Sequence, residues 1–251
     1  MCGRIGLAVP WEELFEYFNL IRPTSLDPEM PPRYNIAPSQ PIMVIRTGDD
    51  GGREGMLARW GLVPSWVKDP KEFTLLVNAR SETAAEKPSF RSAMRHRRIL
   101  VPASGFYEWK RFGKGKKSQP YWVRPKDGNI VAFGGLMETW CGADGSEVDT
   151  ACILTTAANP TFEAIHHRLP LVILKEDFDR WMDCKSQEPR DIVDLLVPAN
   201  DEFFECIPIS DAVNKVANSG PEIQNPVDLE TRDADETGPA EEPADKQLSM
   251  F

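Results

Sequence analysis

Between residues 42 and 156 the chain is a near-continuous series of short runs rich in β-branched and aromatic residues, and this most narrows what it can fold into. Ile42–Arg46, Leu57–Val63, Ile99–Trp109, Tyr121–Arg124, Ile130–Met137 and Asp149–Thr156 each read as strands, with Phe203–Ile209 as a late addition. Helical spacing is confined to short stretches. Trp11, Leu14, Phe15 and Phe18 recur at helical intervals behind Pro10, and Thr83–Met94, Lys175–Asp183 and Arg190–Leu196 are further helix candidates. Strands outnumber helices and do not alternate with them as a doubly wound sheet requires. The pattern therefore predicts one α+β domain, a β-rich, barrel-like core of mostly antiparallel strands with peripheral helices.

A chain of 251 residues with 41% hydrophobic content has ample material for such a core. No run approaches the roughly 18 apolar residues that span a bilayer. Arg4, Glu12 and Glu13 interrupt any signal-like stretch at the start, so a cytoplasmic protein with no membrane partner is expected. Cys2, Cys141, Cys152, Cys184 and Cys206 are odd in number and lack paired spacing, which argues against a disulfide framework. The adjacent His166 and His167 are poorly spaced to converge on one ion, and no metal is expected. Neither a P-loop nor a dinucleotide fingerprint is visible, and no cofactor is expected.

The net charge of −10 is unevenly distributed. Residues 229–251 carry seven acidic and two basic side chains, nearly without apolar residues, and read as a disordered acidic tail after a domain over 1–228. Residues 91–124 carry ten Lys or Arg and one acid, Glu108. A polyanionic partner is therefore compatible with the chain, although a solvated basic face and a flexible Lys/Gly loop would give the same count.

Five segments hold groups suited to chemistry. Removal of Met1 would leave Cys2 with a free α-amine beside its thiol. With reference pKa values of about 7.7–8.0 and about 8.5, a fraction of each is nucleophilic near neutral pH. Such an aminothiol condenses with an aldehyde to an imine and closes to a thiazolidine. Asn78 and Arg80 lie two apart, on one side of an extended chain, and suit a phosphate or sugar. Glu108 is a lone carboxylate among aromatics, where burial would favour acid–base work. His166 stands next to basic Arg168, and Trp66 follows a proline turn as a stacking surface for a base. Each has a structural alternative: Cys2 as a small buried residue, Asn78 as a cap, Glu108 paired with an arginine, His166 as an interior histidine, Trp66 as packing.

Taken in order, Met1–Arg4, Arg33–Pro38, Trp60–Trp66, Asn78–Thr83, Val101–Trp109, Gly134–Trp140 and Ile165–Pro170 resemble the motifs of the SOS-response-associated peptidase family, proteins that crosslink covalently to abasic sites in DNA. The departures are Ser104, where Asp or Asn is common, and Leu169, where Met is. The resemblance implies a positively charged groove and a ring-opened abasic deoxyribose as substrate. It implies catalytic roles for Cys2, Asn78, Glu108 and His166. Arg4, Arg80 and Arg168 would hold phosphates, with Trp66 and Trp109 stacking on bases. Single-stranded DNA and single-strand/duplex junctions are the expected partners, and a monomer that associates with the nucleoid on damage is expected. Two other readings stay open: an N-terminal-nucleophile cysteine amidohydrolase or peptidase, and a non-catalytic binding module. Finally, Gln247, Leu248, Met250 and Phe251 at the tip of the acidic tail resemble peptides that dock bacterial proteins on the sliding clamp.

Overall fold

The computed structural model of the protein describes residues 2–23, 31–113, 116–128 and 130–229. The clamp-like peptide and all but the first residue of the acidic tail lie outside the described residues. Thirteen strands run through the described residues: β1 Ile5–Leu7, β2 Leu20–Pro23, β3 Arg33–Ile36, β4 Pro41–Thr47, β5 Arg53–Trp60, β6 Asn78–Arg80, β7 Arg98–Ala103, β8 Gly105–Lys110, β9 Gln119–Pro125, β10 Val131–Cys141, β11 Glu147–Ala157, β12 Arg168–Pro170 and β13 Phe204–Pro208. Five short α-helices accompany them: α1 Trp11–Phe18, α2 Ser81–Ala84, α3 Arg91–His96, α4 Pro160–Glu163 and α5 Phe178–Met182. No described helix is long and apolar enough to cross a membrane.

Five strands close a barrel. β11 pairs with β10, β10 with β7, β7 with β4 and β4 with β5, all antiparallel. Thr150 and Ala151 of β11 then meet Arg59 and Trp60 of β5 in parallel, which completes the ring. Closure removes the free edges that an open sheet would leave. Trp60, Leu100, Phe133 and Leu154, all fully buried, belong to its core. The barrel-like α+β reading of the sequence holds.

β11 is longer than its barrel neighbours need. Past Ala151 its two edges take up β6, with Ile153 opposite Asn78, and β12, with Thr155 opposite Pro170. A second, antiparallel sheet in the order β13-β9-β8-β1-β3 packs against the barrel. There Ile5 faces Phe106 and Gly6 faces Gly105, so the chain's first residues are laid along β8. On its other side β8 meets β9, and there Gly105 allows close packing, since a Cβ would stand 2.4 Å from the Val123 carbonyl oxygen.

Several element boundaries differ from the sequence reading, each for a local reason. The helix expected over Thr83–Met94 is two helices, broken where Pro88 lacks an N–H and disfavours helical backbone at Lys87. Ile99–Trp109 is not one strand. Ser104 bends it, donating its N–H to the Gly6 carbonyl (2.8 Å) while its Oγ accepts from the Ala8 N–H (2.9 Å), so β7 stays in the barrel and β8 leaves it. The strand expected to reach Val63 stops at Trp60 because Gly61 turns the chain at φ +135°. Lys175–Asp183 and the 190s segment form 3-10 turns plus the short α5.

Candidate active site

β8 alternates between two environments. Phe106 joins the barrel core, whereas Tyr107 packs with Trp122, Ile209, Val213 and Ile223 on the far side. Period-two alternation puts Glu108 on the Phe106 side. Its carboxylate is 4% exposed, and Oε1 accepts from the Trp109 N–H at 3.2 Å.

The N-terminal segment runs antiparallel to β8, with the Tyr107 N–H donating to the Arg4 carbonyl at 2.9 Å. That register brings Cys2 to the Glu108 end. Cys2 is 1% exposed, and its carbonyl accepts from Asn78 Nδ2 at 2.8 Å. Asn78 is fixed from the other side by β11. Its Oδ1 is buried and makes no hydrogen bond, and neither does the buried Oγ of Ser81. The Cys2 thiol is pushed well above its ordinary range, first by burial and then by the negative charge of Glu108.

His166 follows α4, whose N-terminus is capped by Asn159: Oδ1 accepts from the Phe162 N–H at 2.8 Å. The His166 Nδ1 accepts from the Arg168 N–H at 3.0 Å, which leaves Nε2 to carry the proton of the neutral ring. Its ring lies against that of His167, with centroids 4.3 Å apart. Burial lowers the pKa of His166, and the Glu108 charge opposes that shift. Glu108 thus acts on both Cys2 and His166, and Asn78 holds Cys2. The structure brings these four together.

The outer residues divide. Arg80 is exposed at the end of β6, and Trp66 is 58% exposed, edge-on to Phe73. Arg4 is half-buried and held, donating to Asn35 Oδ1 at 2.5 Å and to the Val213 carbonyl at 2.8 Å. Two expectations need correction. Arg168 is 7% exposed and turned inward: its guanidinium forks onto both Glu82 oxygens at 2.6 and 2.8 Å and also donates to the Thr155 carbonyl. Such a guanidinium is not presented to a phosphate. Trp109 lies on the face of β8 opposite Glu108, where Nε1 donates to Asn214 Oδ1 at 2.8 Å and Arg4 rests 6.0 Å over its ring. It is not a stacking surface at the carboxylate.

The sequence reading also missed supporting residues. Asn35 Nδ2 donates to the carbonyls of Val213, Lys215 and Asn218, tying the segment after β13 to Arg4. The Tyr107 hydroxyl donates to the Tyr34 carbonyl at 2.6 Å and accepts from Gln224 Nε2 at 2.9 Å. The Arg33–Pro38 motif signalled importance but not this clamping role.

The family profile described as SOS response associated peptidase (SRAP) matches residues 1–216. The chain belongs to the SRAP family. Abasic site processing protein YoqW of Bacillus subtilis is 38% identical over 223 residues, which cover 89% of this chain and 98% of that protein. Abasic site processing protein YedK of Escherichia coli is 32% identical, covering 90% of this chain and 100% of the relative. A crystal structure of a protein from Bacteroides thetaiotaomicron shares the fold at a TM-score of 0.77, with 26% identity over 90% of this chain and 100% of that one. The SRAP fold accordingly accounts for the barrel and the second sheet alike.

Proposed function

We propose that this protein processes abasic sites in DNA by forming a covalent thiazolidine crosslink through Cys2 once Met1 is removed. The observation that carries the reading is the placement of Cys2: the second residue of the chain is fully buried, held by Asn78 through its carbonyl, and lies within the influence of Glu108, whose charge also reaches His166. The names of the relatives, abasic site processing proteins, support the same substrate.

In this mechanism a ring-opened abasic deoxyribose presents its C1′ aldehyde. The Cys2 amine adds to C1′, and loss of water gives an imine. Sγ then adds to C1′, forming a C–S bond, while the thiol proton passes to the imine nitrogen; one water is lost overall. A thiol whose pKa is raised suits this second step poorly unless a base accepts its proton, and Glu108 is placed for that relay. His166, donating from Nε2, assists opening of the sugar ring and reversal. Asn78 orients the Cys2 backbone, with its unbonded Oδ1 an acceptor for the freed amine. Arg80 and Trp66 contact the flanking phosphate and base. Because an imine at C1′ acidifies the C2′ proton, slow β-elimination of the 3′ phosphate accompanies the reaction. Self-removal of Met1 is the peptidase activity the family description suggests.

Incubation with single-stranded DNA bearing one abasic site tests the reading. A heat-stable protein–oligonucleotide adduct on a denaturing gel, lost on adding a residue before Cys2, is the expected result. Absence of any adduct with correctly processed protein overturns it and favours the amidohydrolase alternative.

A further inference from the structure

The β8–β9 hairpin carries the strand of Glu108 onward past the reactive cluster. Glu108 stands opposite Tyr121 and Lys110 opposite Gln119. Side chains two apart share a face, so Lys110 continues the Glu108 side of the sheet, and Phe112 lies two residues beyond it. Phe112 is 51% exposed, and Lys110 Nζ rests 5.7 Å from its ring centroid. Arg111 and Lys116 beside it are exposed too. A ring held open to solvent among cations suits a ligand with flat faces and a phosphate chain better than an apolar protein surface.

Resting on the reading above, we propose that Phe112 is a stacking platform for a DNA base flanking the abasic nucleotide, with Lys110, Arg111 and Lys116 on the adjoining phosphates. A missing base leaves its neighbour with one face unstacked, and an aromatic side chain covers that face. Four residues of extended chain reach at most about 13 Å from Glu108. Phe112 therefore lies within reach of a nucleotide next to the lesion. It takes the role that Trp109, facing the other way, does not fill.

The test reads non-covalent affinity by fluorescence anisotropy on single-stranded DNA carrying one tetrahydrofuran residue, an abasic analogue without an aldehyde. Phe112→Ala should weaken binding roughly 5- to 100-fold, while Phe112→Trp retains it. When both flanking nucleotides are also replaced by tetrahydrofuran, wild type and Phe112→Ala should bind alike. Wild-type affinity in Phe112→Ala, or an equal loss on both oligonucleotides, overturns the proposal. Thermal melting of each variant checks that an exposed substitution leaves the fold intact. Crosslinking of wild type to an aldehyde-bearing site is scored separately: its failure refutes the proposed reaction, and the binding comparison still decides the role of Phe112.

Discussion

At the end of the barrel where β4 stops and β7 starts, Arg98 is 2% exposed and each of its nitrogens donates to a backbone carbonyl. Nε reaches Trp181 at 2.6 Å, Nη1 reaches Met94, and Nη2 reaches Asp183 and Gln187, all three at 2.9 Å. At the Cys2 end, burial is as deep, but Asn78 Oδ1 and Ser81 Oγ have no hydrogen-bond partner. A buried polar group left unbonded costs about 1–3 kcal/mol. The Arg98 end holds one as well, Arg97 Nε, but there the guanidinium is paired with the Glu138 carboxylate at 2.6 Å. Cavity size points the wrong way. A cleft of about 800 Å³ opens at the Arg98 end, and none of Cys2, Asn78, Glu108 and His166 lines it. Its other arginines are matched by carboxylates: Arg46 with Glu54, Arg53 with Asp179, Arg97 with Glu138 and Arg180 with Asp194. The arginines there are matched by carbonyls and carboxylates, whereas the unbonded Asn78 Oδ1 sits on the residue that holds Cys2 and is the acceptor the proposed reaction uses.

The sharpest way to break this comparison is to empty each end in turn. Cys2→Ala should abolish the heat-stable adduct completely, with binding to abasic DNA largely kept and the melting temperature lowered by only a few degrees. Arg98→Leu should do the reverse. Several carbonyls would lose their donor, and the fold should lose about 3–5 kcal/mol, with the surviving folded fraction still forming adduct. Denaturant unfolding beside a crosslinking gel reads both quantities. A stable Arg98→Leu protein that fails to crosslink would show that the two ends are not separable.

The same contrast explains what could be read in advance. Strand content and the barrel were legible because the runs in β4, β7, β10 and β11 are bounded by clear turn residues. Cys2, Asn78, Glu108 and His166 were legible because their residue types suit the chemistry and the motifs run in order. β1, β3, β6 and β12 escaped notice because strands of three or four residues carry no measurable period. The inward turn of Arg168 was hidden because it depends on Glu82, 86 positions away, and the face taken by Trp109 because only the folded packing shows which side of β8 meets the barrel. Charge and residue type are local; which way a side chain faces is not.

Arg168 supplies the next, smaller effect. Its N–H fixes His166 Nδ1 while its side chain is locked by Glu82, whose carboxyl the Arg168 hydrogen bonds hold below the usual range. Glu82→Gln should loosen that anchor and slow crosslinking at saturating DNA by about tenfold, leaving affinity nearly unchanged, because Glu82 acts through His166 and not on the phosphates. Glu82→Asp should restore part of the rate. If Glu82→Gln instead tightens DNA binding by freeing Arg168 for a phosphate, with a steeper salt dependence, the positioning role is wrong and the original expectation for Arg168 returns.

The smallest expected effect is in the pH dependence of stability. Burial lowers the His166 pKa below its ordinary value of 6.5, so near neutrality the folded ring is uncharged. Between the lowered folded value and 6.5 the unfolded chain binds more protons than the folded one, and stability must rise with pH across that window. The contribution is fully present above about pH 6.5 and is lost as pH falls from there through the folded value. His166→Asn should flatten this part of the melting-temperature profile. An unchanged slope in the variant would mean that His166 is solvated as an ordinary imidazole. The reactive end would then lack the desolvation that sets it apart from the surface, and the neutral Nε2 donor invoked for ring opening would lose its physical basis.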